Sequence, residues 1–267
     1  MPDDVYTHGH HDSVLRSHTW RTAENSAGYL LPHLRPGLTL LDVGCGPGTI
    51  TLDLARRVTP GAVLGIDAST DVIAGAEEAR VEAGIDNVAF AIGDVYDLDA
   101  GDASFDIVHA HQVLQHLSDP VRALVELRRV LRPDGLLAVR DSDYGSFTWS
   151  PANPLLDRWI ELYHQVTARN HADADAGRHL PGWIRAAGFT APTIASSTWT
   201  FADPEGRAWW GGLWADRCID SGFAHQAVEY GLADATELAA IADAWRTWAD
   251  EPDGFFMVPH VEVLARP

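Results

Sequence analysis

The chain has 267 residues, 46% apolar and 21% charged, which is ordinary for a soluble globular protein and enough to bury a sizeable core. Its 19 Lys and Arg stand against 38 Asp and Glu, a formal net charge of −19. A field of that sign repels phosphate backbones and anionic bilayers, so neither nucleic acid nor a membrane is an expected partner. No run approaches the roughly 20 apolar residues of a membrane span, and the acidic start Met1-Pro2-Asp3-Asp4 is no secretory signal. A cytoplasmic location is expected, and the two cysteines, Cys45 and Cys218, fit neither a disulfide framework nor a zinc site.

In chain order, residues 3 to 11 have no period and are expected to form an arm. Asp12 or Ser13 can cap a modestly amphipathic helix ending near Leu31-Pro32. An apolar run at Leu38, Leu40, Leu41 and Val43 then predicts a buried strand. It is followed by a glycine turn (Gly44, Gly46, Gly48) and a helix from Ile50 to Val58. Strands follow over Ala62 to Ile66, Asn87 to Ile92, Phe105 to His111 and Leu136 to Arg140. Helices from Thr70 to Ala83 and from Pro120 to Leu131 alternate with them. That alternation means βαβ crossovers and a parallel sheet with helices on both faces.

Beyond residue 141 the pattern loosens. Helices are expected over Pro154 to Arg169, Leu180 to Ala187, Glu205 to Cys218 and Asp234 to Trp248, with strands over Thr193 to Phe201 and Phe255 to Ala265. Nine of the ten tryptophans lie in this half, so inserted helices closing over an apolar pocket are expected beside the simpler role of packing their own core.

Ligands of open parallel sheets bind beyond the carboxyl ends of the strands. Three acids sit there: Asp42, Asp67 and Asp94. The glycine spacing departs from a dinucleotide fingerprint, since Thr49 stands where that fingerprint has its third glycine, which disfavours an NAD-dependent oxidoreductase. The segments Leu41-Asp42-Val43-Gly44-Cys45-Gly46-Pro47-Gly48, Gly65-Ile66-Asp67, Gly93-Asp94-Val95, Phe105-Asp106-Ile107-Val108, Val113-Leu114-Gln115-His116-Leu117 and Leu131-Arg132-Pro133-Asp134-Gly135 carry a specific resemblance. Residues 38 to 141 resemble the class I S-adenosylmethionine-dependent methyltransferases, and most of all the ubiquinone/menaquinone-biosynthesis superfamily.

The resemblance implies an α/β fold: a Rossmann-like core with a mostly parallel seven-stranded sheet, helices on both faces, an N-terminal helical lid and an inserted helical cap. On that basis the lid covers residues 1–34 and the cofactor-binding core 35–143. The cap takes 144–178 and 203–252, and the remaining core helix and strands take 179–202 and 253–267. The implied cofactor is S-adenosyl-L-methionine, with S-adenosyl-L-homocysteine as product. Its methionine part would meet Gly44, Gly46 and Asp42; its ribose, Asp67 beside Ala68; its adenine, Asp94 and Val95. His111 and Gln112 would lie near the sulfonium; of the lid, Tyr6 and Trp20 would cover the sulfonium and Arg21 would reach the cofactor's carboxylate.

The chain offers thirteen histidines. His111, at the end of the fourth strand, is the first candidate base and His116 the weaker one, because histidine titrates nearest neutral pH. His109 shares the strand face with His111. His8, His10 and His11 have no partnering acid cluster, and no metal is expected there or at His171 with Asp173 and Asp175. The expected reaction is methyl transfer to oxygen or sulfur of a small, largely apolar or aromatic molecule, in a monomer or homodimer. Carbon methylation of a quinone precursor and cofactor binding without catalysis stay open.

Overall fold

The computed structural model describes Asp4, Thr7 and residues 18–267. The expectations for Tyr6, His8, His10, His11 and a helix start at Asp12 or Ser13 lie outside those residues.

The first continuous segment departs from the single helix expected to reach Leu31. His18 and Thr19 are helical, the chain breaks through Trp20, Arg21 and Thr22, and α1 (Ala23–Ser26) begins afresh. Thr22 is extended; its hydroxyl accepts from the Asn25 N–H while the Asn25 side chain accepts from the Thr22 N–H. This reciprocal capping box satisfies two helix-end donors at once and holds the break in place.

Five strands then form a parallel array in the spatial order β3-β2-β1-β4-β5: β1 (Leu40–Val43), β2 (Val63–Asp67), β3 (Val88–Ile92), β4 (Phe105–His111) and β5 (Leu131–Ser142). β8 (Phe255–Arg266) lies antiparallel beside β5, and β7 (Thr190–Phe201) lies antiparallel along the other edge of β8. These are the seven expected strands. An eighth, β6 (Thr148–Ser150), has only three residues and pairs with Phe255 to Met257 of β8.

Strand alternation sends successive side chains to opposite faces. Leu40, Ile107 and Ala138 pack with α2 (Thr49–Val58) and the α1 segment, whereas Leu41, Val108, Leu137 and Val139 pack with α4 (Pro120–Val130) and α6 (Ala176–Ala186). α3 (Thr70–Ala83) starts at Ser69, whose hydroxyl accepts from the Val72 N–H, and stops at left-handed Gly84. The helices α5 (Pro154–Arg169) and α7 (Pro204–Asp220) open the same way as α4. Each has an Asp or Asn cap followed by proline, whose missing N–H costs nothing there.

α6 begins four residues before the expected Leu180. Gly177 permits this: a Cβ there would lie 3.0 Å from the Asp141 carbonyl, so its absence lets the helix rest on the end of β5. α8 (Gly222–Glu229) was not expected at all; it is two turns long and follows α7 directly.

α5, α7, α8 and α9 (Ala235–Ala249) build a third core with the ends of β7 and β8. Trp159, Trp214, Trp245 and Trp248 are fully buried in it; the Trp159 ring meets Trp214 at 4.5 Å and Trp245 at 4.9 Å, both edge to face. Most of the tryptophans thus do pack the helical layer's own core. Trp159→Ala should cost about 3–5 kcal/mol, because the surrounding rings cannot collapse into the void. A urea titration followed by circular dichroism checks this; an unshifted midpoint would remove Trp159 from the structural centre of that layer.

Candidate active site

The carboxyl ends of β1, β2 and β4 open into a cavity of about 960 Å³. Trp20, Arg21, Asp42, Gly44, Gly46, Asp67, Ala68, Asp94, Val95, His111, Gln112 and His116 all line it; of the sequence-derived positions, Tyr6 lies outside the described residues.

One half is the glycine loop and its neighbours. Gly44 has φ +64°, and a Cβ there would strike Val113 Cγ2 at 2.4 Å. Gly46 has φ +55°, and a Cβ would have only His18 Nδ1, at 3.8 Å, within reach. Gly46 therefore leaves room for a ligand to lie against the main chain. Asp67 closes the loop: one oxygen accepts from the Gly46 N–H and the other from the Ser69 N–H, each at 3.1 Å. Asp94 accepts from the Tyr96 N–H at 2.8 Å. Of the described glycine-loop and strand-end residues that line this half, none is a Lys or Arg.

Asp42 reaches the cavity wall already committed. Its oxygens accept from the Thr51 hydroxyl at 2.5 Å and from His109 Nδ1 at 2.7 Å. His109 is fully buried beneath it and does not line the cavity. Cys45 has its thiol pushed up by burial and by Asp42 and Asp67, so it fills the loop as a neutral side chain.

The other half is aromatic. Tyr144, Phe147, Trp199, Trp209 and Trp210 line it, with Trp20 from the N-terminal break. Trp20 meets Trp199 edge-on at 5.2 Å and Trp209 at 5.3 Å. Arg217 of α7 also borders this half, and it stacks on Trp214 at 5.0 Å.

His111 and Gln112 sit where the halves meet. Gln112 holds φ +54°, unusual for a side chain with a Cβ, at a cost on the order of 1 kcal/mol or more. It bridges two elements: its carbonyl accepts from Arg21 Nη2 at 2.7 Å and its amide lies 2.8 Å from His260 Nε2. Under them lies Arg140 of β5, fully buried and bonded to Ser197 Oγ at 3.0 Å and Glu262 at 3.2 Å. Burial, with Arg140, Arg21 and His260 close by, drives the His111 imidazole well below its ordinary range, and burial with Arg21 pushes His116 down to about 3.

Arg140, Ser197, His260 and Glu262 were missed in the sequence. The one periodic signal was in β8, where His260 and Glu262 alternate with Val261 and Val263; Arg140 stands in a polar run with Asp141 and Ser142, and Ser197 between Ser196 and Thr198. None of this can be read as a site until β5, β7 and β8 are known to be neighbours.

Matches to known proteins agree with this geometry. Residues 34–188 match the profile of a methyltransferase domain family. An uncharacterized methyltransferase of Schizosaccharomyces pombe is 35% identical over 97% of this chain and 95% of its own. The 27-O-demethylrifamycin SV methyltransferase of Amycolatopsis mediterranei is 37% identical over half of each chain. The crystal structure of YcgJ from Bacillus subtilis superposes with a TM-score of 0.59 at 21% identity, covering 90% of this chain and 96% of that one.

Beneath the turn that carries His116, Asp141 is fully buried and accepts from the Gln115 N–H at 3.1 Å. Burial pushes its carboxyl up to about 8. The native state thus keeps a proton that the unfolded chain gives up near pH 4, and stability contributed by this group falls as pH rises from about 4 to 8. Asp141→Asn should flatten that slope in thermal melts between pH 5 and 9; an unchanged slope would show that Asp141 does not carry it.

A glycine cradle open to a ligand, an acid at the end of each of three strands, and family and full-length matches converge: the chain belongs to the class I S-adenosylmethionine-dependent methyltransferases.

Proposed function

We propose that this enzyme methylates oxygen or sulfur of a small, largely apolar or aromatic molecule held in the aromatic half of the cavity. The observation that carries this reading is that Trp199, Trp209, Trp210, Tyr144 and Phe147 line the same cavity as the glycine loop and His111, whose ring lies 5.8 Å from that of Trp199. The oxygen methyl transfer named for the Amycolatopsis relative supports the same direction.

In this reading Gly44 and Gly46 receive the methionine part of the cofactor, Asp67 with Ala68 the ribose, and Asp94 with Val95 the adenine. Two hydroxyl donors of a vicinal diol suit the two oxygens of Asp67. Asp42, already holding Thr51 and His109, contributes negative charge toward the ammonium group more than a free acceptor. Trp20, on the cavity wall after the helix break, covers the sulfonium, where an aromatic face attracts a cation, and Arg21 reaches the cofactor's carboxylate. The bound cofactor supplies an electrophilic methyl group; the protein orients the acceptor against it and excludes water. Such positioning is worth on the order of several kcal/mol.

Two measurements test this. Methyl-labelled S-adenosylmethionine with a panel of dithiols, phenols and hydroquinones should place label on oxygen or sulfur by mass spectrometry. Label on ring carbon, or on no acceptor, would overturn the reading. Asp67→Ala should weaken S-adenosylmethionine binding at least several-fold in calorimetry with circular dichroism unchanged; equal affinity would remove the ribose assignment.

A further inference from the structure

The imidazole that meets both halves of the cavity is held in one tautomer by the sheet beneath it. Nδ1 of His111 lies 3.5 Å from Arg140 Nη1. A guanidinium only donates, so the nitrogen facing it accepts, and a neutral ring then carries its proton on Nε2. Arg140 has no freedom to turn away. Its Nε and Nη2 are bound to Ser197 Oγ at 3.2 and 3.0 Å and its Nε to Glu262 at 3.2 Å, and its plane lies 4.9 Å from the Trp199 ring centre. Across the ring, Nε2 is buried with no partner among the described residues. A buried N–H left without an acceptor is costly, and a ligand bound against His111, which lines the cavity, can supply one.

His116 is closed in a similar way. The Ser142 hydroxyl donates to the Gln115 carbonyl at 2.7 Å, which leaves the Gln115 amide N–H to donate to His116 Nε2 at 3.0 Å. Asp4, a carboxylate on the cavity wall, already accepts from the Ser118 N–H at 2.9 Å. Arg140, Arg21, His260 and His109 face His111, so adding a proton to it would set an imidazolium against two arginines.

We propose that His111 serves the acceptor as a hydrogen-bond donor through Nε2–H and not as its base, and that the acceptor is an acidic hydroxyl compound bound as its oxyanion. A phenol or enol carrying an electron-withdrawing group is the class that fits. This rests on the oxygen branch of the reading above and narrows it. In the step, a lone pair of the oxyanion forms the new O–CH3 bond. The S–CH3 bond breaks with its pair staying on sulfur. The sulfonium and the oxyanion become a neutral thioether and a neutral ether, so no proton is left for the protein to take. The Nε2–H of His111 is the donor that meets the oxyanion, since Arg140 is already paired with Glu262 and Arg21 with Gln112.

The test uses 4-nitrophenol, whose phenolate form absorbs visibly, with the full-length enzyme and S-adenosylhomocysteine. At a pH where the free phenol is mostly neutral, binding should raise the phenolate band several-fold. His111→Ala should abolish that rise and lower kcat/KM for electron-poor phenols on the order of 10–100-fold, whereas His111→Gln, which keeps an N–H at the same reach, should restore most of both. Nitrophenol bound in its neutral form, or not bound, overturns the proposal even if label is transferred to oxygen elsewhere in the panel. Gln and Ala variants equally inactive, both folded by circular dichroism, overturn it as well. Label found only on sulfur or carbon would instead defeat the oxygen reading on which it stands.

Discussion

Strands β1 and β4 lie side by side, yet the crossover from β1 leads away to β2 and the one from β4 leads away to β5, so no connection covers their carboxyl ends. A crevice there follows from topology alone. The glycine loop forms one wall because it leaves β1, and His111 with Gln112 forms the other because β4 ends there. Gly44 is needed where the walls approach each other, since Val113 occupies the space a Cβ would take. The rest of the site is arranged around that gap.

A second constraint comes from charge. Arg140 is buried in the sheet, where an unpaired guanidinium would be prohibitive. Glu262 and Ser197, on two strands far along the chain, compensate it, and Trp199 covers its face. The same ion then sets the proton position on His111. The structural need to satisfy one buried cation and the chemical character of the cavity are therefore linked through a single side chain. Strands β7 and β8 thus reach the cavity through Arg140, which Ser197, Trp199 and Glu262 hold in place.

The aromatic layer has two roles that separate by position. Trp159, Trp214, Trp245 and Trp248 stabilise the helices above the sheet, away from the cavity. Trp199, Trp209 and Trp210 line the cavity and give that part of it its apolar character. Trp20 joins them only because the N-terminal helix is interrupted at Thr22.

The amino-acid sequence by itself determined the parallel core and the glycine-loop and strand-end residues that line one side of the cavity. Those depend on local signals: apolar period, glycine spacing, and an acid at the end of each strand, all read within a few residues of one another. The order β3-β2-β1-β4-β5 with β8 and β7 completing the sheet, the early start of α6 on Gly177 and the helix break at Thr22 were decided by contacts between distant segments. The same is true of the aromatic side of the cavity. His111 was visible as a strand-end histidine, but whether it donates or accepts depends on Arg140, 29 residues on, which is held by Glu262, a further 122 residues on. Proton placement is a property of that tertiary neighbourhood, and no periodicity along the chain encodes it.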